Sequence, residues 1–131
     1  MEEMKDRRQF QRLNKELGVE VRKFEYPLKS QRIIKTKCLN ISPGGILLDI
    51  PQKFNVGDKV QLTLYVPGLN KYHPSFFKVF ESSLNQSLVA VAEVVRVELK
   101  GGSYKVGIKF LNIYEDDWKA LYNFLMRELK R

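Results

Sequence analysis

The segment Leu88–Phe110, LVAVAEVVRVELKGGSYKVGIKF, decides the fold class of this chain. It contains a long β-branched run up to Glu98, the glycine pair Gly101-Gly102 and a second apolar run that begins at Tyr104. Adjacent glycines tolerate the left-handed backbone that a two-residue hairpin turn requires. The segment therefore predicts two long antiparallel strands joined by a tight turn.

In four earlier stretches, apolar residues recur at about every second position, which is typical of strands rather than helices. They predict strands at Val19–Tyr26, Ile33–Ile41, Gly45–Ile50 and Val60–Val66. Turns are predicted between and after them at Pro27 to Gln31, Pro43 to Gly45, Val56 to Asp58 and Pro67-Gly68. Six strands with short connections and no helix between them favour an antiparallel barrel or a sandwich.

The C-terminal segment changes to a helical period. Glu115-Asp116-Asp117 places negative charge where a helix begins, and Lys130-Arg131 places positive charge where it ends. Between them, apolar residues recur at helical spacing at Trp118, Leu121, Tyr122, Leu125 and Leu129. We predict a helix whose apolar stripe, including the Trp and Tyr, packs across the strands.

Residues 69–87 form the least regular part of the sequence. Two interpretations remain open for the segment from Pro74 onward, a short helix or one arm of an extra hairpin. Its apolar side chains Phe76, Phe77 and Phe80 either complete the core or dock an effector protein. His73 stands without a second histidine or a cysteine nearby, so we expect a loop histidine and no metal site.

Composition indicates one compact domain with an acidic partner. The chain has 131 residues, 44% of them hydrophobic, and a net charge of +8. The first 37 residues contain 11 Lys and Arg against 6 Asp and Glu, so much of the excess is local. With Cys38 as the single cysteine and no apolar leader at the N-terminus, we expect a cytoplasmic protein without intrachain disulfides.

Two short clusters predict an anion-binding site. The first contains Arg7, Arg8 and Arg12, whose guanidinium groups can grip phosphate in two places and lie flat on a purine. The second, Asn40-Ile41-Ser42-Pro43-Gly44-Gly45, offers an amide, a hydroxyl and a glycine-rich turn with backbone N–H groups. Neither cluster pairs a nucleophile with a base, so we predict a binding protein and not an enzyme.

These clusters carry a resemblance to a known family. Arg8 to Arg12 matches the RxxxR motif, and Asn40 to Gly45 the (D/N)xSxxG motif, of PilZ domains, the bacterial receptors for cyclic di-GMP. The resemblance extends to Gly57–Leu62, Ala92–Val97 and Gly107–Phe110. It implies an all-β fold with a C-terminal helix, built on a six- to seven-stranded antiparallel split barrel.

The implied organisation has three parts. Residues 1–16 form a flexible N-terminal arm that carries the RxxxR motif, and residues 17–114 form the barrel. Residues 69–87 are an extended connection within that barrel, and residues 115–131 form an amphipathic helix packed on it.

The resemblance assigns ligand roles to the motif residues. Arg8 and Arg12 would bind phosphate and the guanine O6/N7 edge, where a bidentate donor is required. Asn40 would meet a guanine edge, Ser42 would donate a hydroxyl hydrogen, and Gly45, with Gly44 before it in the turn, would leave room for the ligand. Asn40 stands where aspartate is commoner, and its neutral oxygen accepts less strongly than a carboxylate.

Two further arginines extend the implied site. Arg7 matches family members that bind two intercalated ligand molecules, because a third guanidinium neutralises the added phosphates. Arg96 lies on a predicted strand where relatives often place an aromatic residue that stacks on guanine. It is either a stacking residue or an ordinary outward-facing strand arginine.

The function implied is a cyclic di-GMP receptor without cofactor, metal or membrane insertion. Ligand binding would order the arm, where like charges repel, and alter a protein-docking surface that regulates motility, biofilm or exopolysaccharide output. A basic barrel that binds single-stranded nucleic acid is the alternative function, although the positive charge concentrates at the arm. A purely structural adaptor is a third class, which intact motifs disfavour.

Overall fold

The computed structural model describes residues 16–72 and 86–129, which form a six-stranded closed antiparallel barrel and one α-helix. The elements are β1 (Gly18–Lys23), β2 (Ile34–Ser42), β3 (Gly45–Ile50), β4 (Lys59–Tyr65), β5 (Ser87–Lys100), β6 (Ser103–Ile113) and α1 (Glu115–Leu129). The predicted all-β fold with a C-terminal helix is confirmed.

Pairing of the first strand on both sides closes the barrel. Val19 of β1 lies opposite Thr36 of β2 and also opposite Leu64 of β4. The strand order around the barrel is β1-β2-β3-β6-β5-β4, and every neighbouring pair is antiparallel. Closure decides between the barrel and the sandwich, because a sandwich would leave β1 and β4 as edges.

The alternating residues of each strand fill the interior. The predicted inward positions Val19, Val21, Val60, Leu62 and Leu64 are almost completely buried. Cys38 has no exposed surface, and desolvation by burial raises the pKa of its thiol. The single cysteine therefore serves as a small core residue, as its place in the alternating pattern predicts.

The first strand is shorter than its sequence pattern predicts. It ends at Lys23, and Tyr26, which the alternation assigns to the strand, is 85% exposed. The reason is Pro27, which has no N–H to donate to a neighbouring strand. The chain leaves the sheet there and forms a 3-10 turn at Leu28–Ser30.

The glycine turns lie where the sequence predicts them. Gly101 and Gly102 connect β5 to β6 with φ angles of 65° and 86°. Both angles are positive, as the tight hairpin turn requires. This turn fixes the register of the longest strand pair, in which Lys100 lies opposite Ser103.

Helix α1 covers the barrel end that contains the β2–β3 turn. Leu121 and Leu125 are completely buried, and the ring of Phe124 packs edge-on against Tyr72 of a 3-10 turn, Leu69–Tyr72, with centroids 5.9 Å apart. Trp118 and Tyr122 are only half-buried and stack on each other at 5.4 Å. The predicted core-facing stripe is therefore correct for Leu121 and Leu125, whereas Trp118, Tyr122 and Leu129 are half-buried and lie at its margin.

Several predictions concern residues outside the described ranges. They include the arm with Arg7, Arg8 and Arg12, together with His73, Phe76, Phe77, Phe80 and the last two residues. Within residues 16–72 and 86–129, the helical segments lack the length and apolar character needed to cross a bilayer.

Candidate functional site

Asn40 and Arg96 lie in one row across the outer wall of the barrel. Asn40 of β2 is opposite Leu47 of β3, Leu47 is opposite Gly107 of β6, and Gly107 is opposite Arg96 of β5. Leu47 lies between the buried residues Ile46 and Leu48, and Arg96 is exposed, so this row faces outward; Gly107 is itself buried, with the side chain of Arg96 against it. Because adjacent strands are about 4.8 Å apart, the row spans roughly 14 Å between the two ends.

A β-bulge on β5 sets the direction of Arg96. The register shifts between Val94 and Arg96, so Val95 has no partner of its own on β6. Val94 is buried, whereas Val95 is 49% exposed and Arg96 is also exposed. Bulges of this kind re-aim a side chain that regular alternation would place elsewhere. A second register shift, between Cys38 and Asn40, occurs at the opposite end of the same row.

The glycine at the middle of the row makes room for the arginine. A Cβ on Gly107 would lie 3.4 Å from Cβ and 3.8 Å from Nε of Arg96. The arginine side chain therefore crosses the glycine and lies against the sheet. A guanidinium held close to a flat wall presents a planar face, which suits stacking on a base.

The β2–β3 turn beside this row is held by three hydrogen bonds. The Gly44 N–H donates to Ser42 Oγ at 3.2 Å, and the Phe110 N–H donates to the Gly44 carbonyl at 3.1 Å. The Trp118 indole Nε1–H donates to the Pro43 carbonyl at 3.0 Å. Because the Ser42 oxygen accepts a bond within the turn, its hydroxyl hydrogen can be donated elsewhere.

Gly45 is required by strand packing. A Cβ at this position would lie 2.3 Å from the carbonyl oxygen of Ile108 on β6. That distance is far inside van der Waals contact, and the obstructing atom belongs to the backbone. Sequence reasoning explained Gly45 only by ligand approach, because the closeness of β6 is not visible in the sequence.

Lys109 is a residue that sequence reasoning did not single out. It lies opposite Gly45 in the β3–β6 pair and is exposed. It also shares the outer face of β6 with Gly107, two residues earlier. The alternation of Gly107–Phe110 predicts that shared face, but the register that places Lys109 beside Gly45 comes from tertiary pairing.

The only acidic residue of β3 is neutralised within the wall. Asp49 lies two residues from Leu47, and its carboxylate accepts hydrogen bonds from Ser103 Oγ and from Lys105 Nζ at 3.1 Å. The Ser103 hydroxyl, and then the Lys105 ammonium, hold the pKa of Asp49 below its ordinary value. This negative charge is therefore compensated locally and does not cancel the charge of Arg96 or Lys109.

The structure thus brings together part of the predicted site. Asn40, Ser42, Gly44 and Gly45 lie at one turn, and Arg96 shares a row with Asn40. The three arginines of the arm lie outside the described residues. In the part of the chain that the structure describes, no group of three His, Cys, Asp or Glu residues is arranged to hold a metal ion.

Comparison with solved structures shows the same barrel in other proteins. The Bacillus subtilis inhibitor of motility, MotI/DgrA, is 23% identical with a TM-score of 0.71 over 96% of this chain. The PilZ domain of Escherichia coli YcgR, solved with c-di-GMP, is 13% identical with a TM-score of 0.60 over 95% of this chain and 95% of its own. The PilZ domain of CeSA from a cellulose-synthesizing bacterium is 15% identical, with a TM-score of 0.56 over 92% of this chain and 99% of its own.

The TM-scores of these structures establish a common fold, but not all of the proteins have the same length. The chain spans 53% of the Bacillus protein. A search among curated proteins found no match. The model of the PilZ domain family, however, matches residues 6–127, which include both motifs, all six strands and most of α1. This chain belongs to the PilZ domain family.

Proposed function

We propose that this chain is a receptor for cyclic di-GMP, which it binds on the outer wall between the β2–β3 turn and Arg96. The observation that carries the proposal is the row in which Asn40, Leu47, Gly107 and Arg96 lie in register across four strands. The YcgR domain of the same fold was solved with c-di-GMP, which supports this ligand over other nucleotides.

Each end of the row suits a different part of the ligand. The amide of Asn40 has both an acceptor and donors that suit the edge of a guanine, and the hydroxyl of Ser42 can donate to a ligand oxygen. Arg96, lying flat over Gly107, offers a planar cation on which a guanine stacks. The roughly 14 Å between the ends of the row accommodates a molecule with two bases.

The two phosphates of the ligand require more cations than the outer wall of the barrel provides. We assign Arg8 and Arg12 of the RxxxR motif to phosphate and guanine edges, as bidentate donors that remain charged at any physiological pH. Lys109, exposed beside Gly45, adds a point charge within reach of a phosphate at the turn. Arg7 would supply a third guanidinium. If Arg7 binds phosphate, we expect two ligand molecules per site, and if it does not, we expect one.

Ligand binding would change the conformation of the protein, and the ligand itself would not react. Two phosphates remove the repulsion between Arg7, Arg8 and Arg12, so ligand binding would hold residues 1–15 over the outer wall. The combined surface then exposes or hides a docking site for an effector protein. Control of motility is the process suggested by similarity to the Bacillus inhibitor of motility.

Calorimetric titration with cyclic di-GMP tests the ligand and gives the stoichiometry. Each charge-assisted hydrogen bond contributes about 1.5–3 kcal/mol, so Arg8→Ala and Arg12→Ala should each weaken binding about tenfold or more. Asn40→Ala removes neutral hydrogen bonds, worth about 0.5–1.5 kcal/mol each, and should weaken binding severalfold. The matched control is Arg22→Ala, because Arg22 lies on the β1–β4 side and its Nε donates to Gln61 at 2.8 Å. Absence of binding, or equal losses in the control, would refute the assignment.

Hydrogen exchange tests the proposed movement of the arm. Amide exchange of residues 1–15 should slow when cyclic di-GMP is added, whereas exchange in the core strands should change little. Equal exchange of the arm with and without ligand would contradict the switch while leaving ligand binding intact.

A further inference from the structure

A second basic site lies at the barrel end opposite α1. A cleft of about 270 Å³ opens between the loop that follows β1 and the loop that follows β3. Its lining consists of Lys23, Gln31, Arg32, Ile34, Gln52, Lys53 and Phe54. Ile34 begins β2, and Asn40 lies six residues further along the same strand. At about 3.3 Å per residue, the cleft is roughly 20 Å from the proposed nucleotide site.

The lining of the cleft carries a cluster of positive charge. Lys23, Arg32 and Lys53 contribute three cations, and none of the lining residues is acidic. Within the described ranges, ion pairs link other lysines to carboxylates, but none involves these three. The nearby Asp58 is occupied by its own turn, where its carboxylate accepts the Asn55 N–H at 2.9 Å. Converging cations with no acidic residue in the lining favour an anionic ligand.

The remaining lining residues identify the kind of anion. Gln31 and Gln52 are half-buried, and their amides can both donate to and accept from a peptide backbone. Phe54, only 3% exposed, and Ile34 form an apolar floor that packs against aliphatic side-chain stems. A site of this size with amides, cations and an apolar floor matches glutamate or aspartate side chains on a protein segment.

Two other anionic partners fit the shape less well. Single-stranded nucleic acid uses a groove that tracks the backbone and aromatic rings that stack on bases, whereas the one ring in this lining is buried at its floor. A membrane surface is flat and binds protruding cations and apolar tips, whereas these cations surround a concavity.

We propose that this cleft binds acidic side chains of a partner protein and so forms a docking site separate from the nucleotide site. The proposal deepens the proposed receptor function by giving its effector a chemistry and a location. Neither the geometry of the cleft nor its test requires cyclic di-GMP.

Fluorescence anisotropy at low salt tests the proposal with a labelled hexaglutamate peptide and a labelled hexaglutamine peptide. The full chain should bind hexaglutamate and not hexaglutamine. The triple variant Lys23→Gln, Arg32→Gln, Lys53→Gln should weaken binding about tenfold, because three partly exposed ion pairs each contribute a small factor. The control Lys37→Gln, Lys71→Gln, Lys119→Gln removes the same formal charge outside the cleft, although Lys37 and Lys119 are paired with Glu16 and Glu115, and should change affinity less than about threefold.

Further measurements test the nucleic-acid and membrane alternatives and state which results would overturn the proposal. Loss of hexaglutamate binding by equal factors in both triple variants, or no binding by the unaltered chain, would overturn the proposal. It would also be overturned if the cleft variant lost more affinity for oligo-dT, or for vesicles of equal phosphatidylcholine and phosphatidylserine, than for hexaglutamate. Circular dichroism verifies folding of each variant, and cyclic di-GMP titration of the cleft variant should be unchanged. A chain that binds hexaglutamate but not cyclic di-GMP would refute the proposed nucleotide receptor alone.

Discussion

Replacing Gly45 by alanine is expected to destabilise the barrel, while the same change at Gly18 is expected to be harmless. Both glycines are the first residue of a strand, β3 and β1 respectively. A Cβ at Gly45 would lie 2.3 Å from the Ile108 carbonyl oxygen, whereas a Cβ at Gly18 would be no closer than 3.8 Å to Tyr65. The pair therefore compares one backbone collision with one ordinary contact.

The magnitude follows from the movement that the collision requires. Restoring a normal contact requires β3 to move about 1 Å from β6, and overpacking of this kind costs about 1–3 kcal/mol. The same movement strains the hydrogen bond from the Phe110 N–H to the Gly44 carbonyl, 3.1 Å long, which contributes about 1 kcal/mol. The expected loss is therefore about 2–4 kcal/mol for Gly45→Ala. For Gly18→Ala we expect no loss, or a gain of up to about 1 kcal/mol from reduced entropy of the unfolded chain.

Urea unfolding measures both changes in parallel. With a slope of about 2 kcal/mol per molar urea, the Gly45→Ala midpoint should fall by roughly 1–2 M. Trp118 is the only tryptophan, and its indole bonds to the Pro43 carbonyl in the affected turn, so its fluorescence reports locally while circular dichroism reports globally. Equal midpoints for the two variants would refute the packing argument. If Gly45→Ala were stable but bound ligand poorly, ligand approach would instead explain the glycine.

Three smaller predictions address charge and burial. Asp49→Asn should reduce stability at neutral pH. Because the folded pKa of Asp49 lies below the unfolded value of 3.8, the deficit should begin to shrink as pH falls through 3.8 and should be lost as pH falls through the folded pKa. A deficit in urea titrations that does not shrink as pH falls below 3.8 would contradict this. Lys109→Gln should weaken cyclic di-GMP binding severalfold by calorimetry, and Lys59→Gln, on the same transverse row but two strands away, should not. Cys38 should resist maleimide in the folded protein and react after denaturation, because its thiol is buried and its pKa is raised; rapid labelling of folded protein would contradict the core assignment.

Much of the barrel could be predicted from local sequence. Alternation at Val60, Leu62 and Leu64 identifies an inward face, because successive side chains of a strand point to opposite sides. Gly101-Gly102 identifies a hairpin, because both positions require positive φ. These features depend on residues that are neighbours in the chain. The same dependence on neighbouring residues led to the wrong prediction that the first strand extends to Tyr26. This residue continues the alternation but precedes a proline that ends the strand.

The motifs likewise identified the β2–β3 turn as a candidate site before any coordinates. Side-chain chemistry alone indicates that Asn40 and Ser42 can bind polar edges and that adjacent glycines leave backbone N–H groups accessible. What those residues face is a different question, because it depends on strands more than fifty residues away.

The sequence by itself therefore determined the strands, the hairpin turn, the terminal helix and the family. Tertiary structure decided that β1 closes the barrel against β4, that a bulge at Val95 turns Arg96 across Gly107 into the row of Asn40, and that Ile108 excludes a side chain at Gly45. Local patterns are set by the conformational preferences of adjacent residues. Register between distant strands is set by how the whole core packs, and no short segment contains that information.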